Sequence, residues 1–159
     1  MKKSRIFLFL TLALLLALVI VTAALAQGNE SNFTASLKGR NERPNPVDTN
    51  AQGEVIVHIS EDESSLSYKL IVANIDEAFA AHIHCGGPDV AGPVGVTLYG
   101  GPTVTLNGIL AQATVTEPNA GNACGWVTLA DVIAAIRSGD AYVNVHTTAN
   151  PGGEIRGQL

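Results

Sequence analysis

Glu54-Val55-Ile56-Val57-His58-Ile59-Ser60, followed across an acidic turn (Glu61 to Ser64) by Leu66-Ser67-Tyr68-Lys69-Leu70-Ile71-Val72, decides the fold class of this chain. Val55, Val57 and Ile59 recur every second residue, as do Leu66, Tyr68, Leu70 and Val72. In a strand such positions share one face, so the pair reads as a half-buried β-hairpin. His58 then points to the opposite face, as an exposed strand residue.

The same reading extends in both directions. Upstream, Phe33, Ala35 and Leu37 alternate with Thr34, Ser36 and Lys38, and Gly39 to Gly53 follows as a long Asn- and Pro-rich loop. Downstream, Ala80 to Cys85 and Val94 to Tyr99 read as strands on either side of a Gly/Pro loop from Gly86 to Pro93. Gly100-Gly101-Pro102 reads as a turn into the Thr-rich stretch Thr103 to Thr116, where Asn107-Gly108 carries a tight-hairpin signal. One segment has a helical period: Leu129, Val132, Ile133 and Ile136, opened by Thr128 with Asp131 three residues later and closed by Gly139. Ala141 to Thr147 and Glu154 to Leu159 are the last strands. Seven or eight short strands with one crossover helix predict an all-β, antiparallel Greek-key β-sandwich.

Residues 1–26 have the pattern of a secretory leader: Lys2, Lys3 and Arg5, an apolar run of 16 residues from Ile6 to Val21, and Ala24-Leu25-Ala26. An uncleaved anchor is the alternative, though the run is shorter than the roughly 18–20 residues of a spanning helix. Cleavage before Gln27 leaves 133 of the 159 residues: a short lead at 27–32 and one domain at 33–159. No cysteine follows the cleavage box, which argues against a lipoprotein. Three of the nine basic residues leave with the leader, so six remain against 14 acidic ones, a balance of −8. That excess opposes nucleic-acid binding, whose footprint is basic. The expected location is secreted or extracytoplasmic, with no membrane span after cleavage.

Cys85 and Cys124 are an even pair in a chain bound for an oxidising compartment, and a disulfide is the expectation. The alternative makes Cys85 a metal thiolate beside His84, but adjacent strand residues point to opposite faces.

His82 and His84 are two apart on one predicted strand; Tyr142, Asn144 and His146 alternate on another. Three of the four histidines can therefore meet on one sheet surface. Imidazole suits copper and zinc, and a third histidine gives a centre with an open position. The competing reading has these histidines bonding carbonyls or carboxylates at a loop mouth. Asn144 and Thr147 are candidates to orient the imidazoles or to satisfy backbone groups in the following turn. Glu154 and Arg156 share a face, where they can pair with each other, or Arg156 with Glu42, as a structural lock. No nucleophile elbow is present, which removes support for hydrolase chemistry.

The segments Leu37-Lys38-Gly39-Arg40-Asn41-Glu42-Arg43-Pro44, Ala81-His82-Ile83-His84, Gly92-Pro93-Val94, Tyr142-Val143-Asn144-Val145-His146-Thr147 and Pro151-Gly152-Gly153-Glu154-Ile155-Arg156-Gly157-Gln158 together resemble the CHRD domain family. The resemblance runs from about Phe33 to Leu159. It implies a secreted domain, as in chordin and in stand-alone microbial proteins, without the cysteine-rich modules by which chordin binds growth factors. More loosely, the His-X-His strand is similar to that of copper/zinc superoxide dismutase, whose paired histidines bind copper. The expectation is a non-catalytic binding or structural module for a protein or glycan partner. The alternative is an extracytoplasmic copper- or zinc-binding protein using His82, His84 and His146, with redox activity as its extension.

Overall fold

The computed structural model describes residues Ser31–Leu159. The leader read at 1–26 lies outside them, as does most of the lead at 27–32. Six strands, a single 3-10 turn and one α-helix follow in order: β1 (Asn32–Lys38), the 3-10 turn (Gly39–Asn41), β2 (Gln52–Ile59), β3 (Leu66–Cys85), β4 (Val94–Val115), α1 (Leu129–Ser138), β5 (Ala141–Thr147) and β6 (Ile155–Gln158).

All pairings are antiparallel and belong to one sheet, ordered β2-β1-β6-β5-β3-β4, with a further β2–β3 pairing. The long strand β3 makes this closure possible. Its first part, Leu66 to Ala73, pairs with β2, and its last part, Ala78 to Cys85, pairs with β5. The sheet thereby closes on itself like a barrel, while β4 runs along the other edge of β3. The all-β expectation holds at the level of class; the pairing shows one closed sheet and does not divide it into the two sheets of a Greek-key sandwich.

Six strands replace the expected seven or eight because the apparent breaks are bulges. Asn74 and Glu77 take left-handed backbone (φ 55° and 49°), and the β3–β4 register shifts around both. A polar run that reads as an interruption is thus absorbed without ending the strand. Asn107-Gly108 is likewise no hairpin: both lie within β4, where Gly108 faces Val72 and Asn107 Oδ1 accepts the Asn74 N–H at 2.6 Å. Gly100-Gly101-Pro102 also sits inside β4.

The inward faces are those set by the alternation. Leu37, Val55, Val57, Ile59, Leu66, Leu70 and Val72 are buried, joined by Ile83, Val143, Val145 and Ile155. Each such side chain contributes about 1.5–3 kcal/mol. Helix α1 buries Leu129, Val132, Ile133 and Ile136. It begins where the Asp131 carboxylate accepts the N–H groups of Thr128 (2.8 Å) and Val127 (2.9 Å), and ends on left-handed Gly139. These bonds hold the Asp131 carboxyl below its usual range. Cys85 and Cys124 form a disulfide, with Cα atoms 5.8 Å apart.

Candidate metal centre

Strands β3 and β5 are neighbours, and their register sets His82 opposite Asn144, His84 opposite Tyr142 and Ala80 opposite His146. The two histidines of β3 therefore stand on the same sheet face as the Tyr142, Asn144 and His146 series. The three rings form a cluster with centroids 4.9 Å apart for His82–His146 and 5.6 Å for the other two pairs. One ligand nitrogen from each lies within 4.8 Å of the others. His58, exposed on β2, bonds Asn32 and takes no part in the cluster.

Two backbone carbonyls fix the chemistry. His84 Nδ1 is 2.9 Å from Gly92 O, and His146 Nδ1 is 3.0 Å from Pro151 O. A carbonyl only accepts, so both Nδ1 atoms carry the proton and donate it; the tautomers follow from this bonding pattern. Burial, reinforced by the neighbouring imidazoles, pulls His82 down to about 4. Burial also dominates at His84, against the opposing Gly92 bond, and brings it to about 4; His146 shifts in the same direction for the same reason. At neutral pH all three rings are neutral, so His84 and His146 present Nε2 lone pairs to each other at 3.4 Å. Neither atom can donate to the other. Two nitrogens bound at about 2.0–2.1 Å to one tetrahedral zinc are separated by about 3.3–3.4 Å.

The loop between β3 and β4 holds His84 in place. Cys85 N–H donates to Pro93 O at 3.2 Å, closing the loop, and the disulfide leaves the strand at the same point. Gly92 is required there: a Cβ at that position would lie 1.5 Å from the Cys85 carbonyl oxygen. The Tyr142 ring stacks on His84 at 4.9 Å and 11°, and its hydroxyl donates to the same Gly92 oxygen at 3.2 Å. On the other side, the Arg156 guanidinium carbon sits 3.4 Å from the Tyr142 centroid. The same guanidinium donates to Val90 O and Gly87 O, both at 2.8 Å. Arg156, Tyr142 and His84 thus form one column tied to one loop.

The remaining candidates are brought near but do other work. Asn144 donates to Glu42 Oε2 at 3.1 Å, and the Thr147 hydroxyl donates to Glu154 Oε2 at 2.5 Å. Neither touches an imidazole nitrogen in a hydrogen bond. Glu154 also accepts from the Thr49 hydroxyl at 2.6 Å. Among the described residues, no carboxylate forms an ion pair with Arg156, so the expected Glu154–Arg156 and Glu42–Arg156 pairs are replaced. Arg156 reaches loop carbonyls, and Glu154 is satisfied by hydroxyls. The Gly92 and Pro151 carbonyls were outside the sequence reading because backbone acceptors carry no residue-type signature. The Gly/Pro segments Gly92-Pro93 and Pro151-Gly152, each a few residues after a histidine strand, are the signal that could have marked those loops.

A family model, that of the CHRD domain, matches residues 33–159. No curated protein matches the chain. No solved structure matches it.

Proposed function

The chain belongs to the CHRD domain family, and we propose that it works outside the cytoplasm as a non-catalytic module that holds a copper or zinc ion on His82, His84 and His146. The observation that carries this reading is the pair of Nε2 lone pairs facing each other at 3.4 Å while both Nδ1 atoms donate to carbonyls. Buried polar atoms without a partner cost roughly 1–3 kcal/mol each, and a cation between them removes that cost. A proton would do so too, but burial disfavours the imidazolium. A metal ion requires the neutral form that burial imposes. Copper and zinc are the ions a set of neutral nitrogen donors favours most among those commonly available. The leader-like residues 1–26 and the Cys85–Cys124 bridge support an oxidising, extracytoplasmic setting.

Elemental analysis of the untagged protein after exposure to copper or zinc, beside a His82→Ala/His84→Ala double variant, tests the reading. About one equivalent in the native protein and none in the folded variant supports it. No metal in either would redirect the function to a protein or glycan partner, with the histidines as structural groups.

A further inference from the structure

Glu42, in the loop after β1, and Asn144, on β5, are buried together on the sheet face that carries the histidines, each only 3 % exposed. Among the described residues, and besides the facing Nε2 atoms of His84 and His146, three buried side-chain polar atoms lack a hydrogen-bond partner: Glu42 Oε1, Asn144 Oδ1 and His82 Nδ1. Two of these belong to one pair, already joined by Asn144 Nδ2–H donating to Glu42 Oε2. An ionised carboxylate has nothing to offer an amide oxygen. A carboxylic acid does: its O–H donates to the amide oxygen while its other oxygen accepts the amide N–H. One proton on Oε1 supplies the donor that both orphaned oxygens need.

The amide cannot be approached freely on its other side. Gly153 packs against it with φ 131°, and a Cβ there would lie 2.4 Å from Asn144 Nδ2. The charged and titratable groups facing Glu42 are Arg156 and Arg43, which favour the carboxylate, Glu154, which opposes it, and Tyr142 on β5. Burial outweighs the two arginines and the Asn144 bond, and pushes the Glu42 carboxyl up to about 7.

We propose that Glu42 is held as the neutral carboxylic acid, its proton bridging Oε1 to Asn144 Oδ1, and that this acid–amide pair is a pH-sensitive latch fastening the loop after β1 onto β5. Alkali transfers the Oε1 proton to a solvent base and leaves a carboxylate oxygen facing an amide oxygen, acceptor to acceptor. The latch then opens. A group with its folded pKa raised from 4.5 to about 7 contributes stability that is present in full below pH 4.5 and lost as pH rises through 7. The latch requires no metal and stands or falls apart from the trihistidine reading.

Glu42→Gln puts an amide N–H where the acid O–H stood, with nearly the same shape. Thermal unfolding of the metal-free proteins from about pH 4.5 to about pH 8 is expected to show the wild-type midpoint falling relative to the variant's as pH rises, most of that relative loss being complete by about pH 7, so that the variant is the more stable on the alkaline side. Parallel curves would overturn the proposal. In wild-type protein carrying 13C at glutamate Cδ, the Glu42 carboxyl carbon is expected to titrate near neutrality, which decides the matter even if the variant fails to fold. A Glu42 carbon already ionised at about pH 5 would contradict the latch.

Discussion

His84 and His146 point Nε2 at Nε2 across 3.4 Å, and each is held there by an Nδ1–H bond to a carbonyl on a different loop. The contact joins β3 to β5 and depends on both loops keeping their place. It follows that the properties of the site are set as much by the 86–93 and 148–153 segments as by the histidines.

His84→Ala removes a donor nitrogen from the facing pair and is expected to weaken copper or zinc binding by more than about 100-fold, beyond the 10–100-fold typical of losing an outer-shell partner. His58→Ala, on β2 and away from the cluster, is expected to leave binding unchanged. Titration against a chromophoric chelator measures both.

Arg156→Lys keeps a positive charge but loses the planar fork that holds Gly87 O and Val90 O and covers Tyr142. The His84 ring then loses the support of its stacked column. A 10–100-fold loss of metal affinity is expected, with a changed visible spectrum of the copper form, in a protein whose far-UV circular dichroism remains β. An unchanged spectrum would remove Arg156 from any part in placing His84.

Acid is expected to destabilise the metal-free protein through the same imidazoles. His82 and His84 fall from 6.5 in the unfolded chain to about 4 in the folded one. Between those values the unfolded chain binds more protons, so stability is complete above about pH 6.5 and drains away as pH falls toward 4. Glu42 slopes the opposite way between 4.5 and 7, which blunts the effect in the wild type. Urea unfolding across this range should show a steeper acid loss in Glu42→Gln than in the parent.

Reduction of Cys85–Cys124 opens a cross-link spanning 39 positions and is expected to cost about 3–4 kcal/mol in the chain-entropy view. Because the bridge leaves β3 next to His84, metal affinity should fall as well. A Cys85→Ser/Cys124→Ser variant, compared by calorimetry with and without zinc, measures the two effects together.

The strand faces were legible because alternation is a local property: Val55, Val57 and Ile59 are buried as their spacing requires, and so are Leu66, Leu70 and Val72. The helix was legible for the same reason, from Thr128, Asp131 and Gly139. Strand continuity was not. Asn74, Asp76 and Glu77 look like a break, and only the bulged pairing to β4 shows that β3 runs through them. The meeting of His82, His84 and His146 followed from period two on two strands, but that these strands are neighbours is a matter of topology. Arg156 was read as half of an ion pair because charge is visible in a sequence, whereas the Gly87 and Val90 carbonyls that bind it are not.

X-ray absorption at the metal edge of the zinc- or copper-loaded protein tests the central claim most directly, since it counts imidazole ligands around the ion itself. The account predicts three imidazoles with nitrogens at about 2.0–2.1 Å, reduced to two in His82→Ala. A shell made of oxygen donors alone, or the same imidazole count in the native protein and the variant, would contradict it.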